Sequence, residues 1–261
     1  MTGGAFAAVT AAEWLKIRSV RSTVWALPVL FVLGVGLAYA VGYSFRDGFA
    51  DMPREQRETF DPLFATFYGL TIAQLAAVVV GALAAGQEFS TSTIRTSFAA
   101  TPRRVVFYGA KTLAVAGAVL AVSLVTVPVA FVTAQAALGP HGTSLSAADA
   151  RAAVVGACLY LPLISVFALG VATALGSAAR ALGVLLPVLF LGSQGLGNMP
   201  QIRDVVQYLP DQAGMVLMHL DVDGDPQFGR DYGSWAASAI LVAWTAFALV
   251  GGYLALRRRD V

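Results

Sequence analysis

Six apolar stretches, each long enough to cross a bilayer and none with a charge deep inside it, divide this chain. They lie at about 24–43, 66–87, 112–138, 152–177, 182–198 and 234–256. A hydrocarbon core about 30 Å thick is crossed by about 20 apolar residues in a helix. Backbone amides buried in lipid must bond within their own segment, so each run can only be a helix or part of a closed barrel. Runs of this length are too long for barrel strands, which take about ten residues. The fold class expected is therefore all-α, with six transmembrane helices. Composition leaves room for little else. Of 261 residues, 57% are hydrophobic and 12% charged, about half the charged share of a soluble domain. Residues 1–261 are read as a single transmembrane domain.

The charges between the runs sort onto two sides. The N-terminal segment, the second–third connection, the fourth–fifth turn and the tail together hold eleven cations, among them Lys16, Arg18, Arg21, Arg180 and Arg257. They face three acids, Glu13, Glu88 and Asp260. The other three connections hold six cations and twelve acids. Lys and Arg collect on the cytoplasmic side of membrane proteins, so both termini are expected there. Arginine clusters so close to apolar runs suit anionic headgroups or a partner protein rather than nucleic acid.

Several local patterns refine this picture. Ala38-Tyr39-Ala40 has the small-x-small look of a signal-peptide cleavage site, but the apolar run continues to Val41 and removal would leave an odd number of spans. The segment is expected to stay. From about residue 10 to 23, Trp14, Ile17 and Val20 alternate with Glu13, Lys16, Arg18 and Arg21. That pattern fits a helix lying on the inner leaflet, or simply a positive cluster that fixes orientation. Asp51-Met-Pro-Arg-Glu reads as the start of a short external helix. Pro128, Pro162 and Pro187 fall within spans, and Gly170-x-x-x-Ala174 has the spacing of close helix crossings.

The chemistry available is sparse. Neither histidine, His141 or His219, falls within a run, and no serine–histidine or paired-acid arrangement sits at membrane depth. Gly109-Ala110-Lys111-Thr112 resembles the end of a phosphate loop, yet Val105 and Ala110 occupy the two required glycine positions. Asp221-Val-Asp223-Gly-Asp225 opens like a calcium loop, but Pro226 and Tyr232 stand where glycine and a bidentate glutamate belong. It is read as a solvated acidic turn. No metal site and no catalytic residue is expected. Cys158 is the one cysteine, so no intrachain disulfide can form. Polar residues that could line a path through the spans are Gln74, Gln194 and Asn198, with an interhelical hydrogen bond as the plainer reading of the last two.

The connection from Gly86 to Lys111 is the most informative. It opens with an acid, continues with Ile94-x-x-x-Phe98 at helical spacing beside Arg95, breaks at Pro102, and then places Arg103, Arg104 and Lys111 before the next run. That order describes a short amphipathic helix held along the inner surface; a topology-setting basic loop would explain the charges alone. This segment resembles the coupling region of the ABC transporter type-2 permease family, which runs acid, small/Gly-Thr-Ile-Arg, Pro-Arg-Arg, then Lys. Glu88, Thr93, Ile94, Arg95, Pro102, Arg103, Arg104 and Lys111 carry the likeness, with Ser92 where many members have Gly. The basic Glu13-Trp-Leu-Lys-Ile-Arg18 entrance and Tyr208-Leu-Pro-Asp-Gln-Ala-Gly214 extend it over essentially the whole chain.

The resemblance implies a permease subunit in a bacterial plasma membrane, paired with a second permease as homo- or heterodimer. A separately encoded ABC ATPase would hold ATP and Mg, and this chain would bind no cofactor of its own. The 88–104 segment would seat in the ATPase as a coupling helix. The leaning is toward export of a hydrophobic or amphipathic drug, lipid or peptide. The alternative class is a non-transporting six-span sensor, immunity or scaffold protein.

Overall fold

The computed structural model describes residues 3–90, 103–195, 197, 199, 201–221 and 228–258. Among them the chain is all helix, with short 3-10 turns and no strand. In order they are α1 (Gly3–Ser19), α2 (Arg21–Gly48), α3 (Arg54–Glu58), α4 (Pro62–Phe67), α5 (Leu70–Ser90), α6 (Arg104–Leu138), α7 (Ala148–Leu175), α8 (Ala178–Gln194), α9 (Arg203–Val206), α10 (Pro210–Leu217) and α11 (Ser234–Arg258).

Five helical stretches are long and apolar enough to cross a membrane: Arg21–Asp51, Pro62–Gly86, Arg104–His141, Ala148–Leu175 and Ser234–Arg258. The sixth run forms the shorter apolar helix α8, displaced toward the N-terminus from the expected 182–198. The outer surface agrees with a lipid surrounding. Trp25, Val32, Phe247 and Trp235 are all well exposed, on a scale that soluble monomers avoid.

Burial orders the bundle. α5 and α7 are enclosed on most of their surface, whereas α2 and α11 keep most of theirs outside. Missing side chains make the central crossings possible. A Cβ at Gly81 of α5 would stand 1.8 Å from the carbonyl oxygen of Ser165 on α7, and one at Gly170 would meet the backbone of Ala248 on α11 at 2.6 Å. Such close backbone approach gives dispersion contact where lipid supplies no hydrophobic drive between helices. The tight turn between α7 and α8 follows from local chemistry. Gly176 takes a left-handed φ of 63° and closes the helix end by donating to the Ala172 carbonyl at 2.8 Å. Ser177 then caps α8 through the Arg180 N–H.

Two stretches differ from the sequence expectation. The N-terminal helix begins at Gly3 and stops at Ser19; Val20 is extended, and Arg21–Thr23 already belong to α2. α1 also runs alongside the first part of α6, with Phe6 next to Gly109 and Ile17 sharing a groove with Ala121 and Val122. It turns Glu13 and Ile17 inward and leaves Trp14 and Leu15 exposed. The inward face thus mixes a carboxylate with an aliphatic side chain, and the charge cluster described below is the reason the carboxylate can be buried. The second difference is the long third loop, which does not stay at the surface: all eight residues of α10 are buried.

Candidate functional site

Around the start of α6, four charged side chains from three helices meet. Lys111 is 5% exposed and Glu13 4%. The Lys111 ammonium donates to Glu13 Oε2 at 2.5 Å, to Glu88 Oε1 at 3.0 Å and to the Ala84 carbonyl at 3.2 Å. Lys16, one helical turn after Glu13, donates to Glu13 Oε1 at 2.6 Å and Glu88 Oε1 at 2.7 Å. Burial works against the charge on Lys16, yet the two carboxylates outweigh it and hold its pKa above the usual lysine value. The Phe107 ring lies under both ammonium groups, 5.6 Å from Lys16 and 5.1 Å from Lys111. Two carboxylates and two ammoniums sum to zero, the condition under which buried charges are tolerable.

This cluster fixes one end of the connection between α5 and α6. Glu88 lies in the last turn of α5 and binds it to α1 and α6. Arg104 fixes the other end: its Nη1 donates to the carbonyls of Leu256 at 2.6 Å and Arg257 at 2.9 Å. These carbonyls lie in the last turn of α11, where no helical partner stands among the described residues, and a cation there also complements the helix dipole. Arg103 is the extended residue before α6. Thr93, Ile94, Arg95 and Pro102 lie outside the described residues.

A second polar set occupies the opposite end of the bundle. Gln74 is buried; its amide donates to the Thr71 carbonyl at 2.7 Å and to Ser193 Oγ at 3.4 Å, and accepts from the Tyr160 hydroxyl. Gln194 donates to Thr71 Oγ1 at 2.6 Å and accepts from the Tyr68 hydroxyl at 3.0 Å. Both amides bind helices together, and Asn198 lies outside the described residues. Asp223 and Asp225 also fall outside them.

α10 reaches this set from the loop. Its Gly214 packs on the Tyr160 ring, and the Leu217 carbonyl meets Gly156. Tyr160 lies twelve residues into α7 from Ala148, about 18 Å along its axis. Asp211, on α10, is buried against Gly192. Its Oδ2 accepts from Gln212 at 2.7 Å, Oδ1 has no partner among the described residues, and Arg230 donates to Gln212 Oε1. Burial, only partly offset by hydrogen bonds and by Arg230, pushes the Asp211 carboxyl up to about 7.

Sequence reasoning marked the motif that contains Asp211 but did not place an acid inside the bundle. The signal available was Leu-Pro-Asp-Gln-Ala-Gly, a proline-started helix with small residues too apolar for a solvated loop. Lys16, Glu13 and Lys111 were each legible as charges, but not as one cluster.

No family model matches the chain, and no curated protein matches it in sequence. The class therefore rests on fold and surface: a helical, multi-pass membrane protein with a neutralised charge cluster at one end and a loop-borne helix buried at the other.

Proposed function

We propose that this chain is the membrane-spanning permease subunit of an ATP-driven transporter, working with a separate ABC ATPase that holds ATP and Mg. One observation supports this best. Both ends of the 88–104 connection are anchored, Glu88 to α1 and α6 and Arg104 to the end of α11. A push on this connection is delivered at once to four helices, which is what a coupling element requires. The likeness of residues 88–104 to type-2 permeases supplies the rest of the reading. A second permease subunit completes the path, the cargo is a hydrophobic or amphipathic molecule, and the direction is export across a bacterial plasma membrane.

In this reading α8 is the sixth crossing. Its 17 residues rise about 26 Å, a few ångströms short of the apolar core, which a bilayer accommodates by local thinning. Both termini are then cytoplasmic, on the side rich in Lys and Arg.

The test is a mild-detergent pull-down of the tagged chain from its native membranes with mass spectrometry of what stays bound. A stoichiometric ATPase, lost in Arg95→Ala while membrane insertion is unchanged, is the expected result. A preparation that yields no nucleotide-binding partner even after crosslinking would overturn the proposal and favour a sensor or scaffold.

A further inference from the structure

An open groove of about 680 Å³ runs between α1, α2 and α6, floored by Leu27, Phe31 and Val122 and edged by Val24 and Val125. Its volume is that of a small-molecule site, and its lining is apolar except at one end, where Arg18 stands. Arg18 is exposed and makes no ion pair among the described residues. It sits at the break between α1 and α2, two residues before the extended Val20. From Val24 to Phe31 the groove follows α2 for about 10 Å, within the roughly 15 Å depth of one leaflet's tails. Pro28 also lines it. Proline has no N–H to give the Val24 carbonyl.

We propose that this groove holds one anionic glycerophospholipid, its phosphate on the Arg18 guanidinium and an acyl chain along α2 toward Phe31. The proposal rests on the membrane-spanning fold and not on transport. Charge complementarity decides the occupant. A neutral apolar face of a partner helix would cover Arg18 without pairing it, whereas a phosphodiester pairs the guanidinium and leaves it at the headgroup level, where basic residues attract anionic lipid.

The molecule carries its own control. On the other side of α1 a groove of about 720 Å³ is formed by Phe6, Trp14, Leu15 and Leu113. It is as apolar and as open to lipid but has no cation in its lining. Any lipid there is held by its tails alone.

The experiment is native mass spectrometry of the detergent-solubilised chain equilibrated with equal amounts of phosphatidylglycerol and phosphatidylcholine of matched tails. The wild type and Leu113→Trp are expected to retain one phosphatidylglycerol in preference to phosphatidylcholine. Arg18→Gln should lower that retention about five- to tenfold, and Val125→Trp, which fills the groove from its exposed rim, should abolish it. Arg18 is at the surface, so its variant tests the proposal even if the tryptophan variant folds poorly. Equal retention of the two lipids by the wild type, or unchanged phosphatidylglycerol retention in Arg18→Gln, would overturn it.

Discussion

Replacing Lys111 with methionine tests the charge cluster directly. Methionine matches the unbranched apolar stem of the lysine and removes the ammonium, leaving Glu13 and Glu88 with Lys16 alone. Breaking a fully buried pair by removing one partner costs about 3–5 kcal/mol. Here Lys16 still reaches both carboxylates, at 2.6 and 2.7 Å, and its side chain is 42% exposed, so part of the uncompensated charge is screened. The expected loss is at the low end, about 3 kcal/mol. At about 2–4 °C per kcal/mol for a chain of this size, the midpoint should fall by roughly 6–12 °C. The assay is provided by the sequence itself. Cys158 is the single cysteine and is buried, its thiol against the Ser123 carbonyl, so a thiol-reactive dye reports exposure of the core in one step. The double variant Lys111→Met/Glu13→Gln restores a net charge of zero. It should be more stable than the sum of the two single losses predicts, by more than about 1 kcal/mol of coupling. A Lys111→Met midpoint within 2 °C of wild type, or strict additivity in the double variant, would refute the idea that these groups act as one neutral unit.

Other outcomes follow from the same geometry. Asp211 has a pKa of about 7 in the fold against about 3.9 unfolded. The folded state therefore binds more protons between those values, and stability falls as pH rises from about 4 to 7, by an order of 4 kcal/mol in all. Asp211→Asn should flatten this slope, as read by circular dichroism melts in detergent at pH 5 and 8; an unchanged slope would assign it to other groups. Arg104→Ala should cost about 1–2 kcal/mol by leaving two terminal carbonyls of α11 without their donor, and should raise hydrogen exchange at the end of that helix in particular. Gly81→Val should prevent folding, since its Cβ would stand 1.8 Å from the Ser165 oxygen; recovery of a monodisperse, heat-cooperative variant would show that α5 and α7 can separate.

How much was legible can be argued from particular residues. The apolar runs located the long helices to within a few residues at most ends, because the absence of charge over 20 residues is a property of the string. The helix ends moved where local chemistry decided them. α8 starts at Ala178 because Gly176 and Ser177 form a C-cap and an N-cap in immediate succession, a signal present in the sequence but weaker than the hydropathy. The break at Val20 carries no Pro or Gly to announce it; it is set by α1 packing against α6. Glu88 was legible as the acid opening a coupling motif, but its direction, inward to Lys16 and Lys111, was not. Partners 72 and 23 residues away become neighbours only when the three helices pack.

The sequence alone determined that this is a helical membrane protein, because insertion responds to hydropathy read segment by segment. Tertiary structure decided which charges neutralise one another, which glutamines bind helices together, and that an acidic loop sends one helix into the bundle. Those outcomes depend on relative helix positions, and in lipid these positions are set by where small residues let backbones meet. The pattern of apolar residues is nearly the same on every face of such helices, so it cannot specify which faces touch.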